Sequence, residues 1–283
     1  MATIIDPILT SVALLLQVSG TNLVGSATGF FFQVETNKYL VSNRHVFTGE
    51  ALPPTVPRPD RIVLPLHSNP TNLTEIGLLS LPIVGTNGAP LWYDHPLGAR
   101  VDVAMLPLGE SVPQGAMVIW LSTNLFPPDS YGGAVGQELF VMGFPQGFHD
   151  RLFHLPIVRK AFAGSAYGVP FEGNPYFLVD ANLHPGTSGS PVFSAPTHDL
   201  PSGVFQLGPK RIYLVGVNSG EIKALPGQKE TLGLHAVWYP ALLMDIHLGA
   251  HGLKTALSPP PSVAPITDTL EKHGYSKRFL PGD

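Results

Sequence analysis

Apolar residues in this chain gather in short runs, each closed by glycine, proline or small polar residues. "SVALLLQVS" comes first, then "ATGFFFQV" and "NKYLVSNRHVF", with "ETNK" as the turn between them. "DRIVLPLH" and "VDVAMLPL" repeat the pattern. After a looser stretch, "FPPDSYGGAVGQ", it resumes in "ELFVMGFP", "YFLVDANL", "SPVF", "RIYLVGVNS" and "LGLHAVWYP". Short runs rich in β-branched and aromatic residues and bounded by turn formers predict strands. One stretch predicts a helix: "PALLMDIHL", where the fixed φ of Pro240 suits a first turn. Many short strands at regular spacing predict an all-β sandwich or barrel, and the Pro-Gly-rich connection predicts two of them. The expected boundaries are 8–122 for the first unit, 132–250 for the second with its helix, and 255–283 for a Pro-rich linker, "SPPPSVAP", and a tail.

Composition narrows the picture. Hydrophobic residues make up 44 % of the 283, which allows a sizeable core. Only 13 % are charged and the net charge is −4, so no basic footprint for nucleic acid is present. The chain has no cysteine, which removes disulfides and suits a reducing compartment. The opening "MATIIDPILTSVALLLQVSG" lacks a basic n-region, and its apolar part is too short to span a bilayer. It reads as a strand. The expected location is therefore the cytoplasm, with neither nucleic acid nor membrane as a partner.

The candidate chemistry lies in "HPGTSGSPVF", residues 184–193. A serine hydroxyl is a weak nucleophile near neutral pH. It needs a histidine to take its proton and a carboxylate to hold that histidine in the right tautomer. It also needs backbone N–H groups aimed at the developing oxyanion, and glycine lets a backbone come that close. Ser188, with Gly186 before it, fits this need: the N–H groups of Gly186 and Ser188 can point into one concavity. Of the eleven histidines, His45 stands out, because it follows an early apolar strand in "YLVSNRHVF". Asp102 is a lone acid in an apolar run, between Val101 and Val103, and a buried acid needs a partner. No H-E-x-x-H pairing suggests a metal, and no cofactor is expected. The order along the chain is His45, Asp102, Ser188, which sets it apart from the subtilisin and α/β-hydrolase orders.

Together, "YLVSNRHV", "VDVAML", "HPGTSGSPVF" and "YLVGVNSG" resemble the trypsin-like, chymotrypsin-fold serine peptidases, especially their disulfide-free bacterial members. The resemblance covers roughly residues 10–245. It implies two six-stranded antiparallel β-barrels with the active site in the cleft between them and a short C-terminal helix. His45 and Asp102 would come from the first barrel and Ser188 from the second. It further implies that Asn218, Ser219 and Gly220 form the edge that pairs with substrate. Asn182 would be the base of the specificity pocket, and His235 would line it. The expected substrate is then a protein or peptide, hydrolysed through an acyl-enzyme, with a regulatory protein as a further partner to consider. Two alternatives share these features: a peptidase-fold binding module with restrained catalysis, and an acyl hydrolase acting on a non-peptide ester or amide.

The chain also departs from the family pattern. Asn43 and Arg44 precede the histidine where small residues are common, and Arg44 is placed either to face solvent or to crowd the site. Thr187 replaces the aspartate of the digestive enzymes, and no Ile-Val-Gly-Gly activation site is present near the N-terminus. The expectation is activity without N-terminal trimming. The turn around Ser188 would be ordered by local hydrogen bonds, from the Thr187 or Ser190 hydroxyl, or by a partner.

Overall fold

The structure, a computed structural model, describes residues 5–129, 131–196, 211–222 and 232–253. The expected Pro-rich linker and tail at 255–283 lie outside the described residues.

The predicted strands form two sheets. The first contains β1 (Val12–Ser19), β2 (Asn22–Val34), β3 (Asn37–Ser42), β4 (Arg61–His67), β5 (Ile76–Pro82), β6 (Tyr93–Asp94), β7 (Ala104–Pro107) and β8 (Leu121–Ser122). Its order is β5-β4-β1-β2-β3-β7-β6, with β8 parallel to β2. It thus has eight strands where six were expected. Two of them, β6 and β8, are only two residues long, too short to leave a periodic signal. The second sheet is a closed six-stranded barrel of β9 (Glu138–Gly143), β10 (Ile157–Ala163), β11 (Tyr176–Asp180), β12 (Pro191–Ser194), β13 (Leu214–Glu221) and β14 (Leu234–Trp238).

Strand alternation explains why runs such as "FFF" are apolar throughout. Successive side chains point to opposite faces of a strand. On β2, Phe31 turns into the core of the first sheet, with Leu40, Phe47 and Ile62. Its neighbours Phe30 and Phe32 turn the other way, into a cluster shared with Met142, Phe144, Phe193 and Trp238 of the second barrel. β3 does the same, sending Leu40 inward and Tyr39 and Val41 to the shared cluster. In the second barrel, Val192 faces that barrel's own core while Phe193 faces the shared one. The two sheets are therefore joined by a continuous apolar layer rather than by a loose linker.

The predicted C-terminal helix, α2 (Ala241–Ala250), follows Pro240 and adds Leu242, Leu243 and Ile246 to the shared layer. It reaches back to the first sheet, where the Tyr39 hydroxyl lies 2.8 Å from His247 Nδ1. A second short helix, α1 (Arg44–Thr48), was not expected from the sequence. Its five residues are too few to show a helical period, and two of them, Val46 and Phe47, are fully buried. Among the described residues no helix is long and apolar enough to cross a membrane.

Phe32 is fully buried in the shared layer and stacks on Phe126 at 5.8 Å. Phe32→Ala is expected to destabilise the chain by about 3–5 kcal/mol, read as a lowered urea midpoint. A midpoint unchanged from wild type would show that the layer does not join the two sheets energetically.

Candidate active site

β3 ends at Ser42, and Asn43 continues in extended conformation before α1 begins. His45 thus lies in the first turn of a helix, close behind a buried strand. Gly49 stops the helix with a left-handed φ of 70°, its N–H donating to His45 O at 2.9 Å. A β-carbon at that φ would be strained, which is why glycine closes so short a helix.

Asp102 lies two residues before β7, between Val101 and Val103, both of which are buried in the shared layer. Those two anchors leave its side chain facing α1. Its carboxylate accepts three hydrogen bonds: from His45 Nδ1 at 2.7 Å, from the His45 backbone N–H at 2.9 Å, and from Ser219 Oγ of β13 at 2.7 Å. The Asn43 amide donates to the Asp102 backbone carbonyl at 2.6 Å and fixes the segment itself. Burial alone would raise the Asp102 carboxyl. The His45 hydrogen bond and charge, with the Ser219 hydroxyl and the His45 amide, outweigh burial and hold it below the usual carboxylate value. An ionised Asp102 assigns the proton of a neutral His45 to Nδ1 and leaves Nε2 as the ring's acceptor.

Arg44 does not crowd this pair. Its guanidinium is engaged elsewhere, with Glu50 at 2.8 Å and Asp94 at 3.4 Å.

The serine turn runs from the end of β11 to the start of β12. Gly186 and Gly189 have φ of 93° and 84°. A β-carbon on Gly186 would come within 2.7 Å of Phe144 O, and one on Gly189 within 2.2 Å of Thr28 O. Both positions therefore exclude other residues by conformation and by space. Gly189 N donates to Asn218 O at 2.9 Å and Thr28 N donates to Ser188 O at 3.0 Å. The Ser42 hydroxyl, three residues before His45, donates to Thr28 O at 2.7 Å. Ser188 is held in this way between the end of β3, which delivers His45, and β13, which carries Ser219 to Asp102. It is partly exposed, and its hydroxyl makes no hydrogen bond among the described residues. The N–H groups of Gly186 and Ser188 likewise donate to no described residue.

The expected binding residues fare differently. Asn218 is fully buried. Its backbone N–H and C=O are both taken, by Ser190 O and Gly189 N, so it is no substrate-pairing edge. Ser219 turns its hydroxyl to Asp102, a role its place in the run did not reveal. The β13–β14 register breaks between Asn218 and Glu221, so Ser219 and Gly220 leave the ladder, and Gly220 is exposed. Asn182 is exposed between β11 and the turn, not at the base of an enclosed pocket. His235 is buried, with a hydrogen bond to the Ala181 backbone, and burial pushes it below the ordinary histidine value despite nearby Glu221. Of the two hydroxyls expected to order the turn, that of Thr187 donates to His184 O at 2.8 Å, while that of Ser190 is buried without a partner among the described residues.

A family model described as a trypsin-like peptidase domain matches residues 27–200, which include all three of His45, Asp102 and Ser188. Among solved structures, a serine endoprotease from Yersinia pestis is similar at 12 % identity and a TM-score of 0.47, covering 87 % of this chain and 67 % of its own. Rv3671c from Mycobacterium tuberculosis, solved as an inactive serine-to-alanine mutant, is similar at 15 % identity and a TM-score of 0.49, covering 88 % and 90 %. No curated protein sequence matches significantly. The match spans more than half of the chain and brackets the whole His45, Asp102 and Ser188 arrangement, so the chain belongs to the trypsin-like peptidase domain family and is a serine protease.

Proposed function

We propose that the chain is an endopeptidase that cleaves peptide bonds through an acyl-enzyme, with Ser188 as nucleophile, His45 as general base and acid, and Asp102 as the orienting carboxylate. The observation that carries this reading is the 2.7 Å contact between His45 Nδ1 and an Asp102 carboxylate already held by two other donors.

The chemistry follows from that contact. His45 Nε2 takes the proton of the Ser188 hydroxyl as the oxygen attacks the substrate carbonyl. The charge on the carbonyl oxygen develops toward the Gly186 and Ser188 N–H groups. The imidazolium that forms is stabilised by Asp102, and it then gives its proton to the leaving amine. A water molecule repeats the sequence and releases the acid from Ser188. The contact between the Ser188 hydroxyl and the base would form as substrate binds, since such contacts commonly tighten in the complex. Substrate backbone would pair beside Gly220, where the strand leaves its ladder. The alternative of a catalytically restrained binding module rested on Arg44 crowding His45, and the engagement of Arg44 with Glu50 and Asp94 removes that ground.

Pre-steady-state cleavage of an activated peptide ester tests the mechanism. A product burst close to one per enzyme is expected from the wild type and none from Ser188→Ala. Asp102→Asn should keep the fold and lower the rate by about 10,000-fold, the scale for losing the orienting carboxylate in such a triad. A burst that persists in Ser188→Ala would overturn the assignment.

Specificity is expected to favour uncharged residues before the scissile bond. His235, which the family resemblance places along the pocket, is held by burial below its ordinary value of about 6.5, so it offers no cation at neutral pH. A peptide-library profile at pH 7.5 should be dominated by uncharged side chains. A profile dominated by aspartate and glutamate, or by lysine and arginine, would contradict this.

A further inference from the structure

Four consecutive carbonyls in the serine turn are each gripped from outside it. Pro185 O accepts from Gln146 N at 2.5 Å and Gly186 O from Thr28 Oγ1 at 2.8 Å. Thr187 O accepts from Asn218 Nδ2 at 2.9 Å, and Ser188 O from Thr28 N at 3.0 Å. The C=O and N–H of one trans peptide unit point in opposite directions. A donor that holds a carbonyl on one side therefore aims the N–H of the same unit to the other side. The unit gripped by Gln146 carries the Gly186 N–H, and the unit gripped by Asn218 carries the Ser188 N–H.

Two of these grips come from side chains, and the two side chains belong to different sheets. Thr28, fully buried on β2, uses its hydroxyl twice: it donates to Gly186 O and accepts from Phe144 N at 3.0 Å. That directional pair leaves the hydroxyl one orientation, because its single proton must go to the carbonyl. Asn218, fully buried on β13, also donates to Ser219 O at 3.2 Å. A flipped amide would set its oxygen against two carbonyl oxygens, so its Nδ2 is fixed toward Thr187.

We infer that Asn218 and Thr28 are positioning residues of the serine turn: Asn218 holds the unit that carries the Ser188 N–H, and Thr28, through Gly186 O, fixes the peptide unit that lies between the Gly186 and Ser188 donors, so that both N–H groups stay aimed at the reacting oxygen in place of any charged anchor beside the nucleophile. The inference rests on the peptidase reading for its chemistry, but the order of the turn does not depend on it. The neighbour of Ser188 is Thr187, a neutral residue buried among neutral partners, so the turn needs no charge to form.

The test uses the full chain with Thr28→Val, which keeps the β-branched shape and loses the hydroxyl, with Thr28→Ser, which restores the hydroxyl, and with Asn218→Ala. ¹⁵N relaxation of the Gly186 and Ser188 amides should give order parameters near the rigid value of about 0.85 in the wild type and Thr28→Ser, and below about 0.6 in Thr28→Val and Asn218→Ala. On a peptide substrate, Thr28→Val should lower kcat about ten- to a hundredfold, less than the hundred- to thousandfold for deleting an oxyanion donor outright, with KM within about twofold. Thr28→Ser should recover kcat. A turn as rigid in Thr28→Val and Asn218→Ala as in the wild type would overturn the inference, whatever the activity. A rigid wild-type turn in a protein that never cleaves peptide would instead count against the peptidase reading alone. Should Thr28→Val fail to fold, Asn218→Ala decides by the same two readouts.

Discussion

The Asp102 carboxylate is the point on which the site depends. Taking a carboxylate out of water costs several kcal/mol unless its lone pairs are satisfied. Here three donors satisfy it, and they come from both halves of the molecule: two from His45 in the first sheet and one from Ser219 in the second barrel. The same bonds that make the half-buried acid tolerable also orient the imidazole. They fix the relative placement of α1 and β13, and so of everything β13 touches. Loss of the charge would release the imidazole from this orientation, while the apolar layer still holds the two sheets together.

That junction is built by strands buried on both faces. β2 sends Phe31 into one core and Phe30 and Phe32 into another, and its Thr28, four residues earlier than Phe32, grips the serine turn. The packing that joins the sheets and the hydrogen bonds that shape the turn therefore lie on one strand. Interiors packed at crystal-like density transmit small displacements rather than absorb them. A change at Phe30 or Phe32 is thus a change beside Thr28. This links stability to reactivity through a specific path, from the shared apolar layer to β2, and from β2 to the Gly186 and Ser188 carbonyls.

Much of this was legible in the sequence, for physical reasons that differ by residue. The strands announced themselves through apolar runs closed by turn formers, and the helix at α2 through Pro240. His45, Asp102 and Ser188 could be chosen because each was chemically odd in its place: a histidine at a strand exit, an acid among valines, a serine between glycines. What stayed hidden was non-local. Nothing in "VGVNSG" says that the Asn218 side chain turns inward to Thr187, or that Ser219 caps Asp102. Nothing in "ATGFFF" marks Thr28 as more than a strand threonine, since its partners, Gly186 and Phe144, lie more than a hundred residues away. Arg44 looked able to block the base because Glu50 and Asp94 could not be placed beside it from sequence. The five residues of α1 and the two-residue strands β6 and β8 carried no period to read.

In the proposed mechanism Ser188 alone, activated by His45 and Asp102, is the nucleophile. The most direct measurement is to treat the full chain with a fluorophosphonate and locate the adduct by mass spectrometry of its peptides. A single adduct on Ser188 is expected, formed by the wild type and greatly slowed in His45→Ala. An adduct on any other residue, or a Ser188 adduct formed as fast without His45, would contradict it.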